Sequence, residues 1–462
     1  MTSLASAGLP GRASWRSPAF PLAVGAAIAP VAAVLQSKAM APIALACLLL
    51  SVLAARREQG RWPIPRGLPF GIALALALWG GLSALWAVEP RQSLATAAQF
   101  GGIALLAAAA ARGVEGQDAR PLARCLFWGV LAGLALATVD NLTGNAVRMG
   151  VRGLHDWKPE IAFGLKPAAS VMALLLPLLP ATPLPRVPRI GGTLLGAVAL
   201  LALPGDTARI AGLVGLAVAG CFAWMPARPA RGLATAGVLA VVLLAPMATA
   251  LLARPDVAAH LPLSAVHRVL IWDFARSRAA ERPWLGWGME SSRAIPGGRD
   301  NFPEENLARL GMTGPGARAF FGRPGVEALP LHPHNAPLQL RLELGWPGLL
   351  LCAGLWAALA FRAPGPLALG VLASALVTFL FSYGAWQPWW VASQALAVAM
   401  VSALGPTRIA GGRGHEPGRG TEHPPQPGLR PVADRPAADR PDAVRDAARA
   451  VARPATSGQC HR

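Results

Sequence analysis

Charge is scarce in this sequence. Only 14% of its 462 residues are charged and 54% are hydrophobic, for a mean hydropathy of +0.44. A soluble globular domain carries about 25% charged residues, so the composition excludes that class and indicates a polytopic membrane protein. Acidic residues are scarcer still, 23 against 42 basic ones, which leaves a formal charge of +19. That excess does not point to nucleic acid, because most of the arginines fall in short loops between apolar runs, where membrane topology places them. Lysine is nearly absent, with only Lys38, Lys158 and Lys166. The cysteines Cys47, Cys125, Cys221, Cys352 and Cys460 follow no disulfide or metal-ligand spacing. Gly-x-Gly-x-x-Gly and Walker patterns are missing too, which disfavours ATP or a nucleotide sugar as direct substrate. No small-residue cleavage site follows a short apolar core at the N-terminus, so the first apolar run is expected to remain as a span.

Twelve apolar runs are present, near residues 18–36, 40–55, 68–88, 93–111, 122–140, 165–182, 190–205, 209–226, 232–252, 342–361, 365–383 and 388–405. Most have the roughly 17–25 residues needed to cross a bilayer. With twelve spans, the clusters Arg12/Arg16, Arg56/Arg57/Arg61/Arg66, Arg112/Arg120/Arg124, Arg186/Arg189, Arg228/Arg231 and Arg362 all fall on one side. The positive-inside rule makes that side cytoplasmic, with both termini on it. The predicted fold is therefore all-α and polytopic, with about twelve transmembrane helices.

The predicted organisation is nine spans over 1–252, a large extracytoplasmic loop over 253–337, three spans over 338–405 and a basic tail over 406–462. The loop is far longer than an ordinary connection. It carries an amphipathic pattern, with Ser264 as a candidate N-cap and Val266, Val269, Leu270 and Phe274 on one face. A partly helical substrate-handling segment is expected there. The tail, rich in Pro, Gly and Arg, has too little hydrophobicity to support a core and is expected to be disordered and cytoplasmic.

Chemistry concentrates where the loop meets the tenth span, in Leu331–Leu350, LHPHNAPLQLRLELGWPGLL. Asn335 is a good helix N-cap, and Pro337 suits the first turn that follows. His334 then sits at a helix mouth at the membrane–water boundary. Its imidazole titrates near neutral pH and suits a general base. A plain alternative is a solvated histidine beside a cap, with Gly345 and Gly348 easing packing. Arg209, in Gly205-Asp206-Thr207-Ala208-Arg209, and Arg268, in His267-Arg268-Val269-Leu270-Ile271-Trp272, lie on the same predicted side as the loop. Guanidinium groups stay charged and meet phosphate oxygens bidentately. Plain alternatives are a helix-end pair with Asp206 for Arg209 and a solvated helix face for Arg268. Arg341 lies seven positions beyond His334 and suits either a diphosphate contact or a pairing with Glu343. Lys166, at the start of the sixth span, is expected to snorkel towards the headgroups. His332 and His334 with Glu304 or Glu305 have no metal-ligand spacing, so no metal site is expected.

The pattern His334-Asn335-x9-Gly345-x2-Gly348 resembles the O-antigen ligase and polymerase superfamily of membrane glycosyltransferases. The Ser83-x-x-Trp86 end of an early span, the Arg209 element and the run Arg268-x-x-x-Trp272…Pro283-x-x-Gly286-x-Gly288 resemble it as well. Together these matches cover roughly residues 70–400. The resemblance implies a GT-C-like architecture with a periplasmic loop. It also implies metal-independent, inverting transfer without a cofactor, from undecaprenyl-diphosphate-linked glycan to a lipid A–core sugar hydroxyl. The implied roles are His334 as base, Arg209, Arg268 and Arg341 on the diphosphate, and Asn335, Gly345 and Gly348 in support. The stretch around Lys166 departs from the family's usual polar start. A polymerase, which takes another lipid-linked repeat unit as acceptor, needs the same residues. A transporter of lipid-linked sugar is the alternative from another class, and it is disfavoured by the lack of an obvious internal repeat, by the few charges along the spans and by the long loop on one side.

Overall fold

In the computed structural model, residues 15–157, 161 and 163–406 are described. The expected tail, apart from Pro406, lies outside them, as do Arg12 and Cys460. The first half of the chain forms α1 (Ala19–Leu35), α2 (Met40–Gln59), α3 (Leu68–Leu82), α4 (Pro90–Gly113), α5 (Arg120–Leu142), α6 (Ala146–Val151), α7 (Leu165–Leu175), α8 (Arg186–Ala202), α9 (Asp206–Ala223) and α10 (Ala227–Leu252). The loop contributes α11 (Pro255–Ala258), α12 (Leu263–Glu281), α13 (Glu304–Arg309) and α14 (Pro315–Phe321), and the last helices are α15 (Ala336–Arg362), α16 (Pro366–Phe381) and α17 (Pro388–Leu404). Among the described residues the β pairing is an isolated bridge, Asn301 with Glu327.

Each of the twelve apolar runs coincides with a helix. Proline stands in the first turn of α3, α4, α5, α15, α16 and α17, where its missing N–H costs nothing. Among the described residues, seven helical segments are long and apolar enough to cross a membrane: Ser37–Gln59, Leu68–Leu85, Pro90–Gly113, Arg120–Leu142, Asp206–Ala223, Ala227–Leu252 and Ala336–Arg362. The others are shorter, such as Ala19–Leu35, Leu165–Ala181, Pro366–Phe381 and Pro388–Leu404. The result is a helical bundle in which α15 packs against α3, α10, α12 and α16, while α9 packs closely on α16.

The 253–335 loop has a core of its own. Val266, Val269, Leu270 and Trp272 of α12 are buried with Phe302, Phe321 and Leu329, and Leu338 and Leu342 of α15 join them. The expected helix is present, but it starts at Leu263 behind Pro262. Ser264 thus falls inside its first turn and does not cap it, because Pro262 already turns the chain into the helix.

The smaller loop after α5 is tied by a buried ion pair. Arg148 Nε meets Asp140 Oδ2 at 2.6 Å with both side chains fully buried. The Arg148 backbone N–H donates to Asp140 Oδ1 at 2.9 Å, and the guanidinium also donates to the Ile161 carbonyl and to Asn145 Oδ1.

Candidate active site

The site is built around a break in α15. Gly345 leaves the helical region with φ +66° and ψ −162°, and Pro347 follows inside the same helix. A Cβ on Gly345 would come within 2.1 Å of the Trp284 carbonyl oxygen, so only glycine fits. The loop segment 283–289 docks into this break. Trp287 N–H donates to the Leu342 carbonyl at 3.1 Å, Gly288 N–H to the Glu343 carbonyl at 2.8 Å, and Trp346 N–H to the Pro283 carbonyl at 3.1 Å. Gly286, at φ +68°, lies so close that a Cβ would meet the Glu343 carbonyl oxygen at 2.3 Å. The Ser83-x-x-Trp86 element holds the same segment from α3's end. Ser83 Oγ accepts from Met289 N–H at 3.0 Å, and Trp86 Nε1–H donates to the Leu285 carbonyl at 3.1 Å. Three motifs distant in sequence thus meet as one docked backbone.

The His-Pro-His-Asn turn sits at the start of α15. Asn335 Oδ1 accepts from Leu338 N–H at 3.0 Å, the cap expected from sequence. Trp272 Nε1–H donates to the Pro333 carbonyl at 2.7 Å, so the Arg-x-x-x-Trp motif clamps the turn from α12. His334 adopts φ +56°, a conformation that costs a non-glycine residue of order 1–3 kcal/mol. Its Nδ1 lies 2.7 Å from the Ser382 carbonyl oxygen. A carbonyl only accepts, so Nδ1 carries the proton and the neutral ring presents an unprotonated Nε2. Burial holds the His334 pKa below its usual 6.5; the Ser382 carbonyl opposes this, while the charges of Arg268 and His267 add to it. His332 stacks 4.5 Å away, and burial together with His334 pushes its pKa down to about 3. His332 is therefore a neutral packing partner.

Cations gather on this face. Arg268, one turn before Trp272, is exposed and reaches the Phe381 carbonyl at 3.4 Å. Crowding by protein lowers its proton affinity, and the Asp206 carboxylate opposes that. Arg209 pairs with that same Asp206 at 3.1 Å and donates to the Leu203 carbonyl at 2.8 Å. The charge of Asp206 therefore reaches both Arg209 and Arg268. Lys166 packs beside Gly205, with Nζ 4.6 Å from the Phe163 ring. Arg341 faces the docked loop. It donates to the Pro283 carbonyl at 2.7 Å and lies 4.5 Å from the Trp346 ring, so it does not pair with Glu343.

Several roles here escaped the sequence reading. Glu343 is fully buried and accepts from Glu290 N–H at 2.8 Å, Ser292 N–H at 3.2 Å, Gln339 Nε2 at 3.0 Å and Trp386 Nε1 at 2.6 Å. The Ser292 hydroxyl donates to it as well. A carboxylate inside an apolar run was the available signal. Glu290, at φ +57°, has its carboxyl pushed up to about 7 by burial and then by Glu343, with Arg293 opposing. Arg293 also opposes protonation of His332. Ser382, which orients His334, carried no sequence signal.

A bundle of membrane-length helices, with a histidine and several arginines where its largest loop docks, defines a multi-pass membrane protein with a polar site at one end. Residues 191–353 match the family model described as O-antigen ligase, a segment that holds Arg209, Arg268, His334, Arg341, Gly345 and Gly348. The family resemblance carried by the sequence motifs is thereby met over that segment; the Ser83-x-x-Trp86 element lies outside it. The chain is also similar to proteins named "putative polysaccharide ligase". One from Rickettsia conorii is 29% identical over 148 residues, covering 30% of this chain and 32% of the relative. Another, from Rickettsia prowazekii, is 30% identical over 148 residues, covering 30% and 33%. The matched segment thus spans about a third of these relatives' length.

Proposed function

We propose that the protein is an O-antigen ligase of the bacterial inner membrane. In this reading it crosses the membrane about twelve times, with the 253–337 loop and the site facing the periplasm. It transfers a polymerised glycan from undecaprenyl diphosphate to a sugar hydroxyl of lipid A–core. The observation that carries this is the fixed tautomer of His334, whose Nδ1–H is committed to Ser382 and whose Nε2 is left as a base, with arginines alongside.

The acceptor O–H gives its proton to His334 Nε2 as its oxygen bonds to the anomeric carbon. The anomeric C–O bond to the diphosphate breaks in the same displacement, with inversion, and the electron pair leaves on the diphosphate. Arg268 and Arg209 meet that charge. The pairing of Arg209 with the exposed Asp206 is no obstacle, since surface ion pairs contribute only about 0–1 kcal/mol. Guanidinium groups preorganised at the leaving group contribute on the order of a few kcal/mol each to the transition state. Arg341 acts one step removed, fastening the loop that carries Glu290 and Arg293. Asn335, Gly345 and Gly348 shape the turn and the helix break. Transfer without a metal, which the family resemblance implies, is part of this reading.

The test uses protein purified in detergent with undecaprenyl-diphosphate-linked glycan, with and without lipid A–core. Glycan appearing on lipid A–core, and disappearing in His334→Ala, supports the ligase. Longer lipid-linked chains without added acceptor would make the protein a polymerase. A folded protein that leaves the donor intact in both tubes would sink the transferase reading.

A further inference from the structure

The bundle holds a cavity of about 470 Å³, within the range of roughly 300–1,000 Å³ usual for small-ligand sites. Its wall is apolar, including Leu76, Phe100, Trp356 and Phe379. Towards the His334 site its lining includes Leu340, Ala385 and Trp386, beside the Gln339–Glu343–Trp386 hydrogen bonds. The other end is lined by Arg66, Arg112 and Arg362. These residues lie just before α3, at the end of α4 and at the end of α15, the ends remote from His334. All three are exposed. Glu115 also lines this end and pairs with Arg112 at 2.6 Å, which leaves an excess of positive charge at the rim.

We infer that this cavity binds an anionic glycerophospholipid, its phosphate against Arg66, Arg112 and Arg362 and an acyl chain inside the bundle, on the face opposite the His334 site. The charge of the rim and the dryness of the wall select a ligand that is anionic at one end and hydrocarbon at the other. A soluble anion would leave the apolar wall unfilled, and a lipid without net negative charge, its phosphate offset by its own cation, would leave the positive excess of the rim unneutralised. The inference rests on the membrane bundle alone and not on the transfer chemistry, so its failure leaves that chemistry untouched.

Native mass spectrometry of the full chain from micelles holding equal phosphatidylglycerol and phosphatidylcholine tests it. Retention of phosphatidylglycerol in preference to phosphatidylcholine is expected, unaffected by excess inorganic phosphate. The R66Q/R112Q/R362Q variant, altered only at exposed positions, should retain it roughly tenfold to a hundredfold more weakly. Ala368→Trp, which fills the cavity, should also lose it. Equal retention of both lipids, no change in the arginine variant, or displacement by inorganic phosphate alone would overturn the inference. So would displacement by a C55 polyprenyl phosphate, because the cavity would then serve a prenyl chain.

Discussion

His334 owes its readiness as a base to one carbonyl. Ser382 fixes the proton on Nδ1, and burial with Arg268 keeps the ring neutral below its usual 6.5. His334→Ala should lower transfer by about 10²–10⁴-fold, measured as initial rate on folded protein, whereas His332→Gln should retain most of it. The acid limb of the rate should fall below pH 6.5. Removing a neighbouring positive charge makes protonation easier, so the residual activity of Arg268→Gln should show its acid limb at higher pH. A limb that stays put would mean Arg268 does not act on the imidazole. Proton linkage also bears on stability. His332 stays neutral in the fold down to about 3, while the unfolded chain binds its proton near 6.5. Stability should therefore be lost as pH falls from 6.5 towards 3, and less so in His332→Gln when melting is followed across that range.

Among the elements, α15 is decisive because it is broken. Gly286 and Gly345 combine positive φ with contacts under 2.5 Å for any added Cβ. Gly311, at φ +73°, faces open space and serves as a control. Alanine at Gly311 should cost about 1 kcal/mol. At Gly286 or Gly345 the backbone must move, and the melting temperature and transfer should fall together. Equal effects at all three sites would remove the docked loop from the explanation. Asp140 and Arg148 offer a second case at this scale. Arg148→Met strands a buried carboxylate and should cost about 3–5 kcal/mol. Asp140→Leu combined with Arg148→Met should recover much of that loss in a denaturation series.

For the whole molecule, the orientation is open to labelling. Single cysteines at Arg299 and Arg57, both exposed, should react with a membrane-impermeant maleimide from opposite sides. Reaction from one side would refute the twelve-span arrangement. The helices were legible because length and apolar composition are local properties, as were the cap at Asn335 and the glycine pattern. The reason for the glycines was not. Gly286 and Gly345 are spaced for a backbone contact across 59 residues, which no local pattern encodes. Ser382 and the Asp140–Arg148 pair were missed for the same reason, and Glu343 was read only as a partner for Arg341, since each takes its meaning from partners that folding brings in. Helix length was overread, because runs such as 365–383 include turn residues like Ser382 and Tyr383 that the helix Pro366–Phe381 leaves out.

The layer of Gln339, Glu343 and Trp386 has a consequence at this scale as well. In the proposed orientation the His334 turn lies on one side of it and the apolar cavity rimmed by Arg66, Arg112 and Arg362 on the other, so this layer stands between the site and the hollow. Both oxygens of its carboxylate are already engaged, three donors on Oε1 and two on Oε2. No free lone pair remains to relay a proton. The bundle can be hollow on one side of its chemistry and still act as an electrical insulator.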